Sequence, residues 1–335
     1  MRVRIRLRLE GMMRALVTGC AGFIGSSLTD RLLAQGWDVV GVDSFEAYYS
    51  RDLKEGNLVA ARDSASFSLV EADLLELASD NAGAVNVAGS LRDIVGSVDH
   101  VYHLAAQPGV RGSWGRSFDT YVRNNVLATQ ALLECAKDVG IGSFVCASSS
   151  SVYGETPVLP MDEEAECRPF SPYGVTKLAS EHLARLYARN FGVPTVSLRF
   201  FTVYGPRQRP DMAFNKFISA ALEGRPIEVF GDGSQTRDFT FISDIVDGIV
   251  AAPAARAGSV LNLGGGSRVS LSDALEVLGS VCGRELDVRR GDIQAGDVTD
   301  TWAAVGRARS EIGFAPKVDL AAGLAAEYRW LLGTP

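Results

Sequence analysis

Thr18-Gly19-Cys-Ala-Gly22-Phe-Ile-Gly25 is the stretch on which the fold turns. It follows a short aliphatic run, Ala15-Leu-Val17, and opens a helix-like segment at Phe23, after which a second apolar run, Val39-Val-Gly-Val42, ends on Asp43. Glycines at this spacing permit a tight turn, close approach of backbone to a pyrophosphate, and close packing of helix on strand. The free N–H groups at the helix start then hold the phosphates. Glycine-rich turns alone are common in loops, but strand, turn, helix, second strand and terminal acid in this order specify a dinucleotide site. Asp43 is placed to accept from both ribose hydroxyls of the adenosine and to repel a 2′-phosphate, which favours NAD over NADP.

Outward from this unit the pattern repeats. Phe67-Ser-Leu-Val70, Val98-Asp-His-Val-Tyr102, Ser143-Phe-Val-Cys146 and Thr195-Val-Ser-Leu198 read as strands, with a long helix over about 117 to 138 and another carrying Tyr173 between them. The alternation predicts an α/β fold, a Rossmann doubly wound parallel sheet with helices on both faces. Ligands in such sheets lie beyond the carboxyl ends of the strands. Asp73 and Leu74 after the third strand are therefore expected near the adenine, and Leu104, Ala105 and Ala106 after the fourth are expected to line the cofactor pocket. After about residue 200 the chain turns to Gly-, Pro- and Arg-rich loops, short strands and scattered helices. The expected organisation is an extension over 1–12, an NAD-binding domain over 13–200, and a smaller α/β lobe over 201–335. That last lobe is mainly for substrate, with room to return strands to the first domain.

At 335 residues the chain is long enough for two lobes, and its net charge of -7 argues against a nucleic-acid or anionic-membrane partner. An anionic ligand must then be met by locally placed arginines. Five widely spread cysteines with no C-x-x-C pair read as reduced, cytoplasmic residues and offer no metal site. The alternating Arg and aliphatic residues of the first dozen are too interrupted for a signal peptide and read as an extension or an upstream start before Met12 or Met13. Nowhere is there a run of roughly 18 apolar residues that could span a membrane.

Tyr173 and Lys177 stand four residues apart at the start of their helix, which puts phenol and ammonium on one face, one turn apart. An ammonium so close favours the phenolate and makes the tyrosine a base usable near neutral pH. Such a pair on a helix surface is by itself commonplace. A dinucleotide motif and a preceding serine run raise it to a candidate catalytic centre.

The spaced glycines, His103-Leu-Ala-Ala106, Asn124-Asn125-Val126, Ser148-Ser-Ser-Ser-Val-Tyr153-Gly, the Tyr173/Lys177 pair and Gly231-Asp-Gly-Ser-Gln-Thr-Arg237-Asp-Phe together resemble the extended short-chain dehydrogenase/reductase family acting on nucleotide sugars. His103-Leu-Ala-Ala-Gln-Pro-Gly-Val-Arg111 and the stretch from Arg199 to Ala213 are most similar to its UDP-glucuronate 4-epimerases, with Pro108 where a small residue is more usual. The resemblance implies catalysis by Ser149, Tyr173 and Lys177. It implies that Gly19, Gly22, Phe23, Ile24, Gly25, Asp43, Asp73, Leu74, Leu104, Ala105, Ala106 and Asn124, with Tyr173 and Lys177, bind a tightly held NAD. Dehydratases of the family carry Asp and Glu, and decarboxylases a Glu, where this chain has Ser150 and Ser151. Neutral-sugar 4-epimerases typically have Asn where Thr202 stands. Ser151, Thr202 and Arg209 are thus implied to restrain a sugar carboxylate. Arg237, Asp297, and more weakly Lys216 and Arg111, are implied to meet the UDP half. A homodimer built on the 117 to 138 and Tyr173 helices is a further implication. The competing readings are a UDP-glucuronate decarboxylase, a neutral UDP-hexose 4-epimerase, and a catalytically silent NAD-binding regulator.

Overall fold

The computed structural model describes residues 11–79, 89–292 and 298–333. Asp297 and all but the last two residues of the expected 1–12 extension lie outside the described residues.

The first strand shows why a sheet with two covered faces forms. Along β1 (Arg14–Thr18) Ala15 and Val17 point into a cluster with Leu28 and Leu32 of the Phe23–Ala34 helix, while Leu16 points into the opposite cluster with Leu132 and Leu133 of the Ala128–Ala136 helix. That is the two-residue period of a strand with apolar residues on both faces, as a buried parallel strand requires. The same division recurs in β2 (Asp38–Asp43), where Val39 and Val40 part company, in β4 (His100–His103), where Val101 and Tyr102 do, and in β5 (Ser143–Ser149), where Phe144 and Val145 do; β3 (Phe67–Glu71) is the far edge. Each fully buried Leu or Val contributes about 1.5–3 kcal/mol relative to exposure.

Beyond β6 (Thr195–Phe200) come β7 (Thr202–Tyr204), β8 (Ile227–Phe230), β9 (Thr236–Phe241), β10 (Ser259–Leu263), β11 (Ser267–Ser270) and β12 (Val288–Gly291). The large sheet has seven parallel strands in the order β10-β6-β5-β4-β1-β2-β3. β10 therefore returns from the later half of the chain to pair with β6. The rest of that half forms a three-stranded sheet, β11-β9-β7, and a β12-β8 pair around its own apolar cluster of Tyr204, Phe214, Phe239, Leu278 and Leu324. Strand order reverses at β1, which pairs with β2 on one side and β4 on the other. A crevice opens at the carboxyl ends of strands where the order reverses, and the site lies there.

Candidate active site

The glycines of the opening motif are demanded by contacts. Gly19 has φ +70°, and a Cβ on it would stand 2.8 Å from the Ala105 amide nitrogen; one on Gly25 would stand 2.0 Å from the Gly19 carbonyl oxygen. Gly19 donates to Val42 O at 2.8 Å, which ties the turn to the end of β2. No side chain caps the Phe23–Ala34 helix, so its first-turn N–H groups remain for an anion. At the end of β2 Asp43 accepts from the Ala21 and Phe45 amides, one on each oxygen, and these two bonds aim the carboxylate along the cleft. This cradle, the uncapped helix start and the strand-end acid fit a dinucleotide. Gly25→Ala is expected to force the turn apart and weaken NAD binding at least about tenfold, read by titrating NAD into the stripped variant; unchanged affinity would show that the turn can yield.

Every residue expected to bind the cofactor lines a single cleft, from Gly19 and Asp43 through Asp73, Leu104 and Asn124 to Tyr173 and Lys177. Asp73 also caps the Leu74–Leu77 helix through Leu75 and Glu76 N–H and pairs with Arg123 at 3.0 Å. Asn124 reaches the cleft from a π-helical stretch, Val122–Leu127, where the neighbouring Asn125 turns inward. Asn125 exchanges hydrogen bonds with Gln107 N and O and donates to Thr176 Oγ1, so it locks the loop after β4 to the helix that carries Tyr173 and Lys177. Wide turns of this type recur at functional sites.

The helix that carries Tyr173 and Lys177 spans Pro172–Phe191. Ser171 caps it through the Gly174 amide, proline occupies the first turn, and Gly192 ends it in a left-handed conformation. Tyr173 and Lys177 both open into the cleft. The Lys177 ammonium lies 6.0 Å from the Tyr173 ring centre and donates to Ala147 O at 2.9 Å, which draws the helix onto the end of β5. Tyr121 meets the Tyr173 ring edge-on at 6.3 Å. A Cβ on Gly174 would stand 2.5 Å from Ser151 O, so the helix start presses directly on the Ser150–Val152 turn. Ser149 caps that turn by accepting from the Ser151 amide, and its hydroxyl bonds Ser151 Oγ at 3.2 Å. Ser148, rather than Ser149, lines the cleft, and its hydroxyl is committed to Glu181.

The residues implied for substrate are less gathered. Among them Arg209 lines the cleft; Thr202 on β7 and Ser150 and Ser151 of the serine turn are not among its lining residues, while Lys216 is exposed on the Ala213–Leu222 helix and Arg111 stacks on Phe230 at 4.5 Å. Arg237 donates to Thr236 O and Thr299 O. The Arg209 fork is not open on all sides, because its Nε and Nη2 already hold the two oxygens of Asp211 at 2.9 and 3.0 Å. Tyr48 donates to the same carboxylate, and burial, then the Asp211 charge, push its phenol up to about 12, so it stays a donor.

Sequence reasoning missed the aromatic loop after Asp43. Glu46, Tyr48, Tyr49 and Lys54 line the cleft, with the buried Lys54 ammonium donating to Glu46 O and lying 4.9 Å from the Tyr49 ring. Burial lowers the Lys54 pKa. The adjacent tyrosines after a strand-end acid were the available signal. His103 is no acid or base: it bridges Thr18 and Thr129 in the core, and burial, then Lys177, push it down to about 3.

A doubly wound sheet with a glycine cradle and a tyrosine–lysine helix at its switch point defines an extended short-chain dehydrogenase/reductase. The sequence matches the NAD dependent epimerase/dehydratase family over residues 15–264, and the chain belongs to that family. It is 41% identical to the uncharacterized UDP-glucose epimerase YtcB of Bacillus subtilis, over 95% of this chain and 98% of that one. It is 36% identical to the UDP-glucuronate 4-epimerase of Thermodesulfobacterium geofontis, over 94% and 95%. The crystal structure of the UDP-glucuronic acid 4-epimerase from Bacillus cereus, in complex with UDP-glucuronic acid and NAD, superposes with a TM-score of 0.90 at 42% identity, covering 96% of this chain and 99% of that one.

Proposed function

We propose that the chain is a UDP-glucuronate 4-epimerase, interconverting UDP-glucuronate and UDP-galacturonate without decarboxylation. The observation that carries this reading is that Tyr173, Lys177 and Arg209 open into the same cleft as the glycine cradle. The cleft residues from Gly19 and Asp43 to Lys177 would hold NAD, which would supply a hydride acceptor and donor for C4 of the sugar. Tyr173, as phenolate, removes the proton of the 4-hydroxyl and gives it back at the end. Ser149, which directly follows the cleft-lining Ser148 and donates to Ser151, is assigned to turn its hydroxyl to the same oxygen and relay the proton. Lys177 holds the nicotinamide ribose. Between the two half-reactions the 4-keto sugar turns within the site, and net redox change is zero.

For glucuronate that intermediate is a β-keto acid, which loses CO2 when the bond from C5 to the carboxylate stands perpendicular to the ketone. Restraint of the carboxylate is assigned to Ser151, Thr202 and Arg209. Arginine has five N–H donors, and Asp211 uses two of those on Arg209, so three remain for the sugar. Ser150 and Ser151 place no carboxyl group where dehydratases and decarboxylases need one. A neutral UDP-hexose is the second reading, favoured by the name of the Bacillus subtilis relative.

Incubation with UDP-glucuronate, followed by NMR of the products, decides. UDP-galacturonate is expected; UDP-xylose or a 4-ketopentose sinks the reading, and turnover of UDP-glucose alone points to the neutral sugar. Arg209→Ala should raise KM for UDP-glucuronate at least about tenfold, with little effect on UDP-glucose, and release some decarboxylated product. Equal loss for both sugars would assign Arg209 to the nucleotide.

A homodimer is also proposed, through an apolar face that leaves Leu127, Val175, Leu186 and Phe191 exposed. The free cysteines, with no helix among the described residues long and apolar enough to cross a membrane, favour a cytoplasmic setting.

A further inference from the structure

We propose that Glu327 is a positioning residue for the acidic sugar: from outside the cleft it holds the Gly205 amide, and through it the loop that presents Arg209. The inference rests on the reading of Arg209 as a partner of the sugar carboxylate. Glu327 lies on the Leu320–Leu331 helix with no exposed surface, and its Oε2 accepts from Gly205 N at 2.8 Å. Its Oε1 is buried without a hydrogen-bond partner. A carboxyl group in this setting, with one amide and no cation, is costly to bury, and its presence calls for a reason.

The loop over 205–212 supplies one. Gly205 has φ +130°, and a Cβ there would stand 2.7 Å from Ile242 Cγ2. Arg207 follows at φ +70°, a left-handed conformation for a residue with a side chain. Backbone of this kind persists only where its surroundings over-determine it. The loop is pinned at Gly205 by Glu327, at Arg207 by Asp30 at 2.7 Å, and at Gln208 by the Asn215 amide and side chain, besides the Tyr48 bond to Asp211 at its far end. Arg209 follows directly. Release of the first pin frees the strained turn, and the guanidinium moves with it.

Among the described residues no cation pairs with Glu327. On the elements packed against its helix the titratable groups are Tyr204 on β7, Arg237 and Asp238 on β9, the exposed Lys216, and Asp273, Glu276 and Cys282 on the Leu271–Cys282 helix. Asp319, Asp244 and Glu327 share one neighbourhood around Tyr204, and Tyr328 and Arg329 follow Glu327 on its own helix. Burial pushes Glu327 up to about 8. An unfolded glutamate titrates near 4.3, so the folded state must carry a proton that the unfolded chain has lost. Stability is thus fully present below the unfolded pKa, falls as pH rises towards 8, and is level above it. The Gly205 bond is made by the neutral acid up to about pH 8.

Hydrogen exchange of the Gly205 amide in the ligand-free protein, with steady-state kinetics, tests this in Glu327→Gln and Glu327→Leu. Gln keeps the acceptor without the titration. It should preserve Gly205 protection and KM at pH 6.5 and 9, and raise Tm by a margin that widens from pH 5 to 8. Leu should cut Gly205 protection at least tenfold and raise KM for UDP-glucuronate at least fivefold while kcat stays within twofold. Unchanged protection and KM in a folded Leu variant overturns the proposal. Should the Leu variant not fold, Gln decides alone: wild-type protection at Gly205, relative to Gln, falls between pH 5 and 8, and equal protection across that window overturns it. A wild type that binds but does not turn over UDP-glucuronate defeats the substrate reading, while the exchange result still stands or falls by itself.

Discussion

Tyr173→Phe lowers epimerisation at least about 100-fold and leaves NAD bound. In the proposed mechanism the phenol oxygen is the base, whereas the ring and backbone do the structural work. The edge-on contact with Tyr121 needs only the ring, Thr176 bonds the Tyr173 carbonyl, and Ser171 caps the helix through Gly174. None of these changes in phenylalanine. Turnover is measured with UDP-glucuronate, and bound NAD by its absorbance after denaturing the purified variant. Activity surviving within about tenfold of wild type would place the base elsewhere. Loss of both activity and NAD would show that the hydroxyl builds the cofactor site instead.

Glu181→Gln costs about 3–5 kcal/mol of unfolding free energy. Glu181 lies one helical turn beyond Lys177 and is almost fully buried. Arg199 of β6 reaches both of its oxygens, at 3.0 and 2.6 Å, and Ser148 donates to it at 3.0 Å. The guanidinium also donates to Glu163 O and lies 4.7 Å from the Tyr153 ring centre, so it has no route to water once its partner is neutral. The change therefore strands a buried charge. Urea unfolding gives the number, and the double variant Glu181→Leu with Arg199→Met should recover most of it, because apolar pairs of similar volume replace buried ion pairs at little cost. A loss below about 1 kcal/mol for the single change would mean that water reaches Arg199.

Much of the nucleotide half was legible because its determinants are neighbours in sequence. The glycine turn is spaced by what one turn of backbone can do, and Asp43 closes the strand that follows. Tyr173 and Lys177 need only the helical repeat. The later half is less legible. β10 carries the same alternating apolar pattern as any strand, and nothing in Ser259–Leu263 announces that it joins β6 rather than the smaller sheets. Ser149 could be marked by resemblance, yet its bond to Ser151 and the pressure of Gly174 on that turn depend on how the helix docks. Arg209 was identified by its motif, while the partner that narrows its choices, Asp211, lies only two residues away and gave no sign of its role.

The sequence by itself determined an α/β sheet with a glycine turn for a dinucleotide and a tyrosine–lysine pair on one helix face, since these follow from local backbone geometry and periodicity, while the wider set of cofactor residues came by resemblance. Only the tertiary structure decided which substrate residues share the cleft, how many donors Arg209 has left, and that Glu327 stands behind it. These are pairings between side chains brought together by chain closure, as Gly205 and Glu327 are across 122 residues. No spacing rule connects such partners; burial and the need to satisfy each polar group do.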